Sequence, residues 1–349
     1  MIKLGIIGAG RLGSFHADKA AAHEKVELVG VMDPSEPARK KLAEKHRIRE
    51  FSKLEELIPI VDAVVVAAPT FLHYELGMPC LRQGRHVLME KPMCSSWSEA
   101  QNLVEAARRS NAVFMVGHVE EFNPAWAAAQ DSLREIRDGR PGLIDAGRTS
   151  GYTFRSTDVG TVFDMMIHDI DLVLSLVPSR VFSVDAVGFN VLGGPHEDTA
   201  SVRVRFENGT VANLYSSRVA VSPSREMTVT MPSRTTRIDF GTRTATIHRP
   251  GDSIASGNFA PNRVTAEQAA ELVPTFMKEH FETMEIQNDA VDALSLEMDE
   301  FVRSIESGRP SRVSGERALA AVALAEKIVE SIRRESPLQF GHLGQRKAA

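Results

Sequence analysis

Ile2-Lys3-Leu4-Gly5-Ile6-Ile7-Gly8-Ala9-Gly10-Arg11-Leu12-Gly13 carries an apolar strand pattern straight into glycines spaced G-x-G-x-x-G. The Ala-rich stretch Arg11–Ala22 that follows reads as a helix. Glycine is common enough that this spacing alone is weak. Its position between strand and helix makes it specific, and a plain glycine turn is the bland alternative. Gly8 permits a tight turn, Gly10 lets backbone approach a pyrophosphate, and Gly13 lets helix and strand pack closely. The helix start, with Arg11 and Leu12, offers free N–H groups and a partial positive charge to phosphate. Asp33 lies 20 residues beyond Gly13, just after the second apolar run Val26–Met32. That is where an acid meets the adenosine ribose. A carboxylate there repels a 2′-phosphate, so NAD is expected over NADP, a preference that Ser35 could soften.

From this unit outward, strands and helices alternate. Glu36–His46 reads as a helix, Ala63–Ala68 as a strand, and Leu72–Gln83 as a helix capped by Thr70 and stopped at Gly84. His86–Met89, the helix Trp97–Arg109 and Ala112–Val116 complete the series. Such alternation implies a parallel sheet. After Asn123-Pro124 the pattern changes. A helix Ala125–Arg137 and a helix Val162–Leu176 precede strands at Val181 onward, Ser201–Phe206, Val211–Val219, Glu226–Met231, Thr235–Phe240 and Thr244–His248. Glu207-Asn208-Gly209 is a hairpin turn signal. Pro250–Pro274 reads as a long loop, and helices Ala293–Ser307 and Gly315–Arg333 close the pattern. The expected fold class is α/β. It has a Rossmann dinucleotide-binding domain over 1–122, an α+β domain with an open, mainly antiparallel sheet over 123–336, and a polar tail over 337–349.

Composition bounds the function. The 349 residues are 43% hydrophobic and 25% charged, which fits a globular chain and excludes a disordered or coiled-coil one. Net charge is −5, so no basic excess exists to neutralise nucleic acid. Apolar runs such as Ala63–Ala68 are far short of the about twenty residues that span a bilayer. The N-terminus reads as a strand rather than a signal peptide. Cys80 and Cys94 are too few for a disulfide scaffold. A cytoplasmic location is expected.

Two further clusters carry chemistry. Glu90-Lys91-Pro92 follows a strand, and strand C-termini of parallel sheets face the ligand crevice. Lys91 there is placed to meet a substrate hydroxyl, with Pro92 fixing its direction, possible through a cis bond. For this tripeptide alone, a surface lysine before a loop is the simpler reading. Asp158-Val159-Gly160 precedes Asp164-Met165-Met166-Ile167-His168-Asp169-Ile170-Asp171. On a helix Asp164 and His168 share a face, with Asp171 on the same side. Carboxylates around a histidine raise its proton affinity and orient it, as a general base needs. An Asp–His pair that only staples structure is the alternative; a zinc site lacks a third ligand.

In these residues the chain resembles the glucose-fructose oxidoreductase, inositol dehydrogenase and rhizopine-catabolism (Gfo/Idh/MocA) oxidoreductases. The carriers are Gly8–Gly13, Pro69-Thr70 with His73, Glu90-Lys91-Pro92, Asp164 with His168, and Phe301–Gly308 with Pro310. The resemblance implies bound NAD(P) and hydride transfer at a sugar or cyclitol carbon. It implies Lys91, Asp164 and His168 as catalytic residues, and Pro69, Thr70, His73 and Glu90 at the nicotinamide end. Gly117–Pro124 and Met166–Leu172 further resemble the branch that oxidises UDP-N-acetylglucosamine at its 3-hydroxyl. On that resemblance His118, Asn123 and Asp171 are substrate-binding candidates. Glu121 stands where that branch is expected to carry arginine. If that arginine places an anionic sugar nucleotide, Arg155, Arg218 or Arg225 would have to replace its charge; if it makes a structural ion pair, nothing changes.

The expected activity is NAD-dependent oxidation of a secondary alcohol of a sugar or sugar nucleotide. His168 accepts the proton, Lys91 holds the oxygen, and Asp164 orients His168 and favours its protonated form. An NAD-dependent glycosidase and a non-catalytic NAD-binding regulator are the alternatives. Val202, Val204, Val211 and Leu214 suggest an apolar sheet face that a homodimer or homotetramer would cover.

Overall fold

The computed structural model describes residues 1–287 and 292–335, so the expected tail over 337–349 lies outside the described residues. The first sheet contains β1 (Ile2–Ile7), β2 (Val26–Met32), β3 (Arg49–Phe51), β4 (Ala63–Val66), β5 (His86–Glu90) and β6 (Phe114–Gly117). Its order is β3-β2-β1-β4-β5-β6, and every neighbouring pair is parallel. All four residues of β4 are buried, as are Leu4, Ile6 and Ile7 of β1. Strands covered on both faces read as unbroken Val/Ile runs for this reason. Helices Arg11–Ala22, Glu36–His46, His73–Arg82 and Trp97–Ser110 make the crossovers. Ser96 caps the last of these, its Oγ accepting from the Glu99 N–H, and left-handed Asn111 ends it.

The second sheet contains β7 (Leu143–Thr149), β8 (Val181–Phe189), β9 (Thr199–Phe206), β10 (Val211–Ser217), β11 (Ser224–Met231), β12 (Arg234–Asp239), β13 (Thr244–Pro250) and β14 (Phe281–Gln287). Its order is β14-β13-β12-β11-β7-β10-β9-β8. All pairs are antiparallel except β7 with β10. One face belongs to the core, with Val202, Val204, Leu214 and Val229 buried. The other carries a polar row, in which Arg203 donates to Asn213 and Asn213 to Asp145 across β9, β10 and β7, beside exposed Val187, Phe189 and Tyr215.

Several local expectations change. Val202, Val204 and Leu214 already lie inside this chain's core, and Val211 is half-buried, so these residues do not form an uncovered apolar face. The expected helix Ala125–Arg137 is two pieces, Pro124–Ala129 and Arg134–Arg137. Ser132 Oγ donates to the Ala129 carbonyl at 2.6 Å, the kind of local bond that competes with helix continuation. Thr70 caps nothing; it sits inside a tight turn, Thr70–Leu72, ahead of the helix. Pro250–Pro274 holds short helices Asp252–Ala255 and Ala266–Leu272, the second started by a Thr265–Gln268 capping box. The expected helix Val162–Leu176 opens with a wide π turn, Val162–Met166, before regular helix over Ile167–Leu176.

A buried ionic cluster ties the site's supports together. Arg148 on β7 donates to both oxygens of Asp169, at 3.3 and 2.9 Å, and to Glu120 at 2.7 Å. Asn123 donates to the other Glu120 oxygen at 2.9 Å and to the Phe240 carbonyl at 3.1 Å. Removing one member of such a cluster leaves uncompensated charge in the interior. Arg148→Met is therefore expected to lower unfolding free energy by about 3–5 kcal/mol, read from urea denaturation; an unchanged midpoint would refute that role.

Candidate active site

Parallel strands deliver one side chain or turn each to the same sheet edge. Gly8 follows β1, Asp33 follows β2, Ala67–Thr70 follow β4, Lys91 follows β5 and His118 follows β6. The strand order reverses between β1 and β4, where ligands of open α/β sheets bind. Gly8 has φ +100°, and a Cβ there would sit 2.5 Å from the Ala67 carbonyl oxygen. At Gly13 a Cβ would meet the Gly8 oxygen at 1.8 Å. Gly10 differs: nothing lies within 4 Å of its ideal Cβ, so its bareness serves no contact inside the protein. No side chain caps the Arg11–Ala22 helix, which leaves its first N–H groups available to an anion. Asp33 accepts from the Ala9 N–H at 2.7 Å and the Ser35 N–H at 2.8 Å, fixing the turn and its own carboxylate. These features fit a dinucleotide: open space at Gly10, a bare helix start and an acid beyond the second strand.

The reactive end lies between the sheets. Lys91 Nζ donates to the Asp164 carbonyl at 2.5 Å and to Asp164 Oδ1 at 3.1 Å. Both side chains are about one-fifth exposed, so the pair reaches solvent. The Lys91-Pro92 bond is cis. His168 stands one helical turn beyond Asp164, and its ring meets His118 edge-on with centroids 6.1 Å apart. Its Nδ1 has no protein partner. Asp164 makes no hydrogen bond to His168; it serves Lys91 instead. The expectation that carboxylates raise His168's proton affinity is corrected. Its pKa is pushed well below the ordinary histidine value, first by burial, then by the charges of Lys91 and Arg148. The Asp164 carboxylate is engaged by Lys91, which leaves the His168 ring to burial and to the neighbouring cations.

Behind Lys91, Glu90 is buried and accepts from His16 Nε2 at 2.7 Å. Burial alone would raise the Glu90 pKa; the His16 hydrogen bond and the charges of His16 and Lys91 outweigh it and hold it low. His73 bridges two loops, its ring nitrogens 2.9 Å from the carbonyls of Ala68 and Pro92. It thus ties the turn after β4, including Pro69 and Thr70, to the one after β5. Burial pushes the His73 pKa down.

Two substrate-binding candidates are placed as supports. Asn123 starts the Pro124–Ala129 helix and serves Glu120. Asp171, 1% exposed, has both oxygens on Arg317, at 2.9 and 2.6 Å. Arg317 also donates to Glu121 at 2.8 Å, so residue 121 makes an ion pair inside the fold. His118 is fully buried against the site; burial lowers its pKa. Arg218 is held by Asp198 and the Val159 carbonyl. Arg225 is exposed, and its charge reaches His168. Sequence reasoning missed His16, Arg148, Arg317 and Glu297. A buried acid such as Glu90 demands a partner, and His16 within an Ala-rich helix was the available signal.

A Rossmann sheet with this glycine turn, joined to a lysine, aspartate and histidine at its edge, defines a dinucleotide-dependent oxidoreductase. Comparison with known proteins places it. A model described as oxidoreductase family, NAD-binding Rossmann fold, matches residues 2–118, and the GFO/IDH/MocA C-terminal domain matches residues 135–235. The chain belongs to the Gfo/Idh/MocA oxidoreductase family. It is 32% identical to UDP-N-acetylglucosamine 3-dehydrogenase of Acidithiobacillus ferrooxidans over 333 residues, covering 95% of this chain and 98% of that protein. A solved structure of that enzyme superposes with a TM-score of 0.82 at 29% identity, covering 95% and 98% of the two chains. Inositol 2-dehydrogenase of Rhizobium meliloti is 26% identical, covering 95% and 97%. The protein is thus an NAD-binding dehydrogenase. Among the described residues no helix is long and apolar enough to cross a membrane.

The glycines make a sharp contrast testable. Gly10→Ala is expected to leave thermal stability unchanged and weaken NAD binding by tenfold or more, about 1.4 kcal/mol, by fluorescence titration. Gly13→Ala should destabilise the fold itself. Equal NAD affinity in Gly10→Ala and wild type would remove the pyrophosphate from that place.

Proposed function

We propose that the protein oxidises a secondary alcohol of a sugar nucleotide, with the 3-hydroxyl of UDP-N-acetylglucosamine as the substrate position. The observation that carries this is the solvent-reaching Lys91–Asp164 pair, with the Lys91 charge felt at His168, whose Nδ1 has no protein partner. The similarity to UDP-N-acetylglucosamine 3-dehydrogenase over nearly the whole of both chains supports the substrate. Gly8, Gly10, Arg11, Leu12 and Gly13 would hold the pyrophosphate, Asp33 the ribose, and Pro69, Thr70, His73 and Glu90 the nicotinamide end. Asp33 favours NAD over NADP by repelling a 2′-phosphate. When bound, NAD supplies the ring that takes up the hydride.

The chain's own residues handle the proton and the oxygen. His168 is neutral near pH 7 because burial and neighbouring cations push its pKa down, so it can accept the hydroxyl proton. Lys91 Nζ holds the substrate oxygen and stabilises the charge that develops on it. Asp164 aims Lys91 through two contacts. Glu121, paired with Arg317 inside the fold, is not available to repel an anionic substrate at full strength. Arg225 and Arg155, both exposed, are the cations that would meet the diphosphate.

Incubation with NAD and a panel of UDP-sugars and free cyclitols tests this by NADH absorbance. UDP-N-acetylglucosamine is expected to give the highest kcat/KM. Aglycone release without net NADH would overturn the reading. Lys91→Ala is expected to lower kcat by roughly 10²–10³-fold, with NAD affinity retained. The kcat/KM profile should hold its plateau through pH 6.5, the ordinary histidine value of about 6.5, and fall only below it as His168 protonates. In Lys91→Ala that acidic limb should move to higher pH, because one of the charges depressing His168 is gone.

A further inference from the structure

The loop over 151–158 joins β7 to the wide turn that carries Asp164, and the residues flanking it are tied to that turn. Ser150 Oγ donates to Met165 Sδ at 3.8 Å, and the Gly160 carbonyl accepts from the Asp164 N–H at 2.9 Å. Between these anchors Phe154 and Ser156 hold left-handed backbone, φ +56° and +49°. That conformation strains any residue with a Cβ, and a bulky one most. Phe154 is also 84% exposed. Its ring meets Tyr152 edge-on, centroids 4.9 Å apart, which leaves most of the ring to solvent. The Arg218 guanidinium lies over the Tyr152 ring, 5.8 Å from its centroid. Arg218 is fixed by Asp198 at 2.8 Å and by the Ser156 and Val159 carbonyls at 3.2 and 2.9 Å. The loop is thus pinned at its base while Phe154 is held out. A second anomaly rises from the same end of the sheet. Arg225 on β11 stands directly opposite Arg148 on β7. Like charges in cross-strand register oppose one another. Arg148 is engaged by Asp169 and Glu120. Arg225 shares a strand face with buried Met227 and Val229, yet is exposed, and its charge reaches His168 and Asp169. Neither Arg225 nor exposed Arg155 makes an ion pair among the described residues. Asp158, the loop's acid, keeps Oδ2 buried.

We propose that Phe154 is a stacking platform for a nucleotide base, propped by Tyr152, and that Arg225 and Arg155 beside it take the diphosphate of the same ligand. The proposal rests on the sugar-nucleotide reading above and names how that class is told from free sugars. Stacking is most favourable on an exposed ring that is already immobile, because a mobile one gives back part of the gain in ordering. A pinned loop with a strained tip supplies such a ring. A diphosphate needs cations that acids have not already neutralised. Arg225 meets that condition, and its placement opposite Arg148 is a local cost that a bound anion would relieve. A free cyclitol has neither base nor phosphate and gains nothing from either element. Every base has a π-face, so the platform separates nucleotide from free sugar and not uracil from another base. No covalent bond forms or breaks at this site.

Calorimetric titration of NAD-saturated protein with UDP and with inorganic pyrophosphate tests this; saturation keeps both probes off the glycine turn. Wild type is expected to bind UDP roughly tenfold or more tighter than pyrophosphate, the gain of one base–aromatic stack. Phe154→Gly should lose that advantage and keep its pyrophosphate affinity. It should melt no lower than wild type, because glycine takes left-handed backbone without strain. Phe154→Leu, which keeps bulk but no aromatic face, should lose the advantage too, and Phe154→Trp should retain it. Arg225→Met should weaken UDP and pyrophosphate alike, by about tenfold for one charge-assisted contact, and melt no lower, since a like-charge pair is relieved. In turnover, Phe154→Gly should raise KM for UDP-N-acetylglucosamine about tenfold without a matching fall in kcat. UDP bound no tighter than pyrophosphate by wild type, or equally well by wild type and Phe154→Leu, overturns the platform even if UDP-N-acetylglucosamine is oxidised. Phe154-dependent UDP binding in a protein that oxidises no sugar nucleotide overturns the substrate reading instead and leaves the nucleotide site standing.

Discussion

The contact between Lys91 and Asp164 joins the two halves of this molecule at the point where they share a task. Lys91 ends a strand of the parallel sheet, and Asp164 sits in the turn that enters a helix beneath the other sheet. Neither can be moved independently of its element. An exposed ion pair of this kind would contribute little to stability. Here the carbonyl of Asp164 also accepts from Nζ, and two contacts fix where the ammonium points. Its value is directional: the amine cannot swing to solvent without giving up both oxygens. The wide turn at Val162–Met166 makes this possible, because it brings backbone carbonyl and side-chain carboxylate of one residue to the same amine.

That arrangement sets the electrostatics of His168. A carboxylate spent on lysine is not spent on histidine. Asp169 turns away to Arg148, and Asp171 to Arg317. Each of the three acids around His168 is therefore claimed by a cation, and the imidazole is left with burial and positive neighbours. Both lower its proton affinity. A general base needs to be unprotonated at the working pH, and surrounding it with acids would work against that. The fold supplies the acids as supports for cations, not as partners for His168.

The sequence made the parallel sheet legible because strands buried on both faces leave continuous apolar runs, as in Ala63–Val66. The glycine turn was legible because each glycine answers a separate steric demand, as the 2.5 Å approach at Gly8 and the 1.8 Å approach at Gly13 confirm. Strands Leu143–Thr149 and Phe281–Gln287 were not recovered, although the former has the regular alternation of a half-covered strand. Within it Arg148 masks that alternation in the sequence, since it points inward as an ion and not as an apolar side chain. The role of Asp164 was misread for a different reason. Spacing of i and i+4 gives a shared face, but not that Lys91, 73 residues away, claims the carboxylate first. For long-range partners such as His16 and Glu90, 74 residues apart, local pattern marks that each needs a partner but not which one.

Residue 121 shows how one position can be read only through its contacts. As an isolated acid near the site, Glu121 would oppose binding of any anion. Arg317 changes that account, because its guanidinium spans Asp171 and Glu121 and also donates to the Arg312 carbonyl. Two carboxylates on one cation leave a net negative charge, and most of it is buried under the last helix at Asp171, which is 1% exposed. Burial pushes the Arg317 pKa down and the two acids more than restore it, so the guanidinium stays charged. An arginine at 121 in this fold would face Arg317 and compete with it for Asp171. Glutamate at 121 and arginine at 317 thus form one unit, and Arg225, outside it, is an exposed arginine whose charge reaches His168.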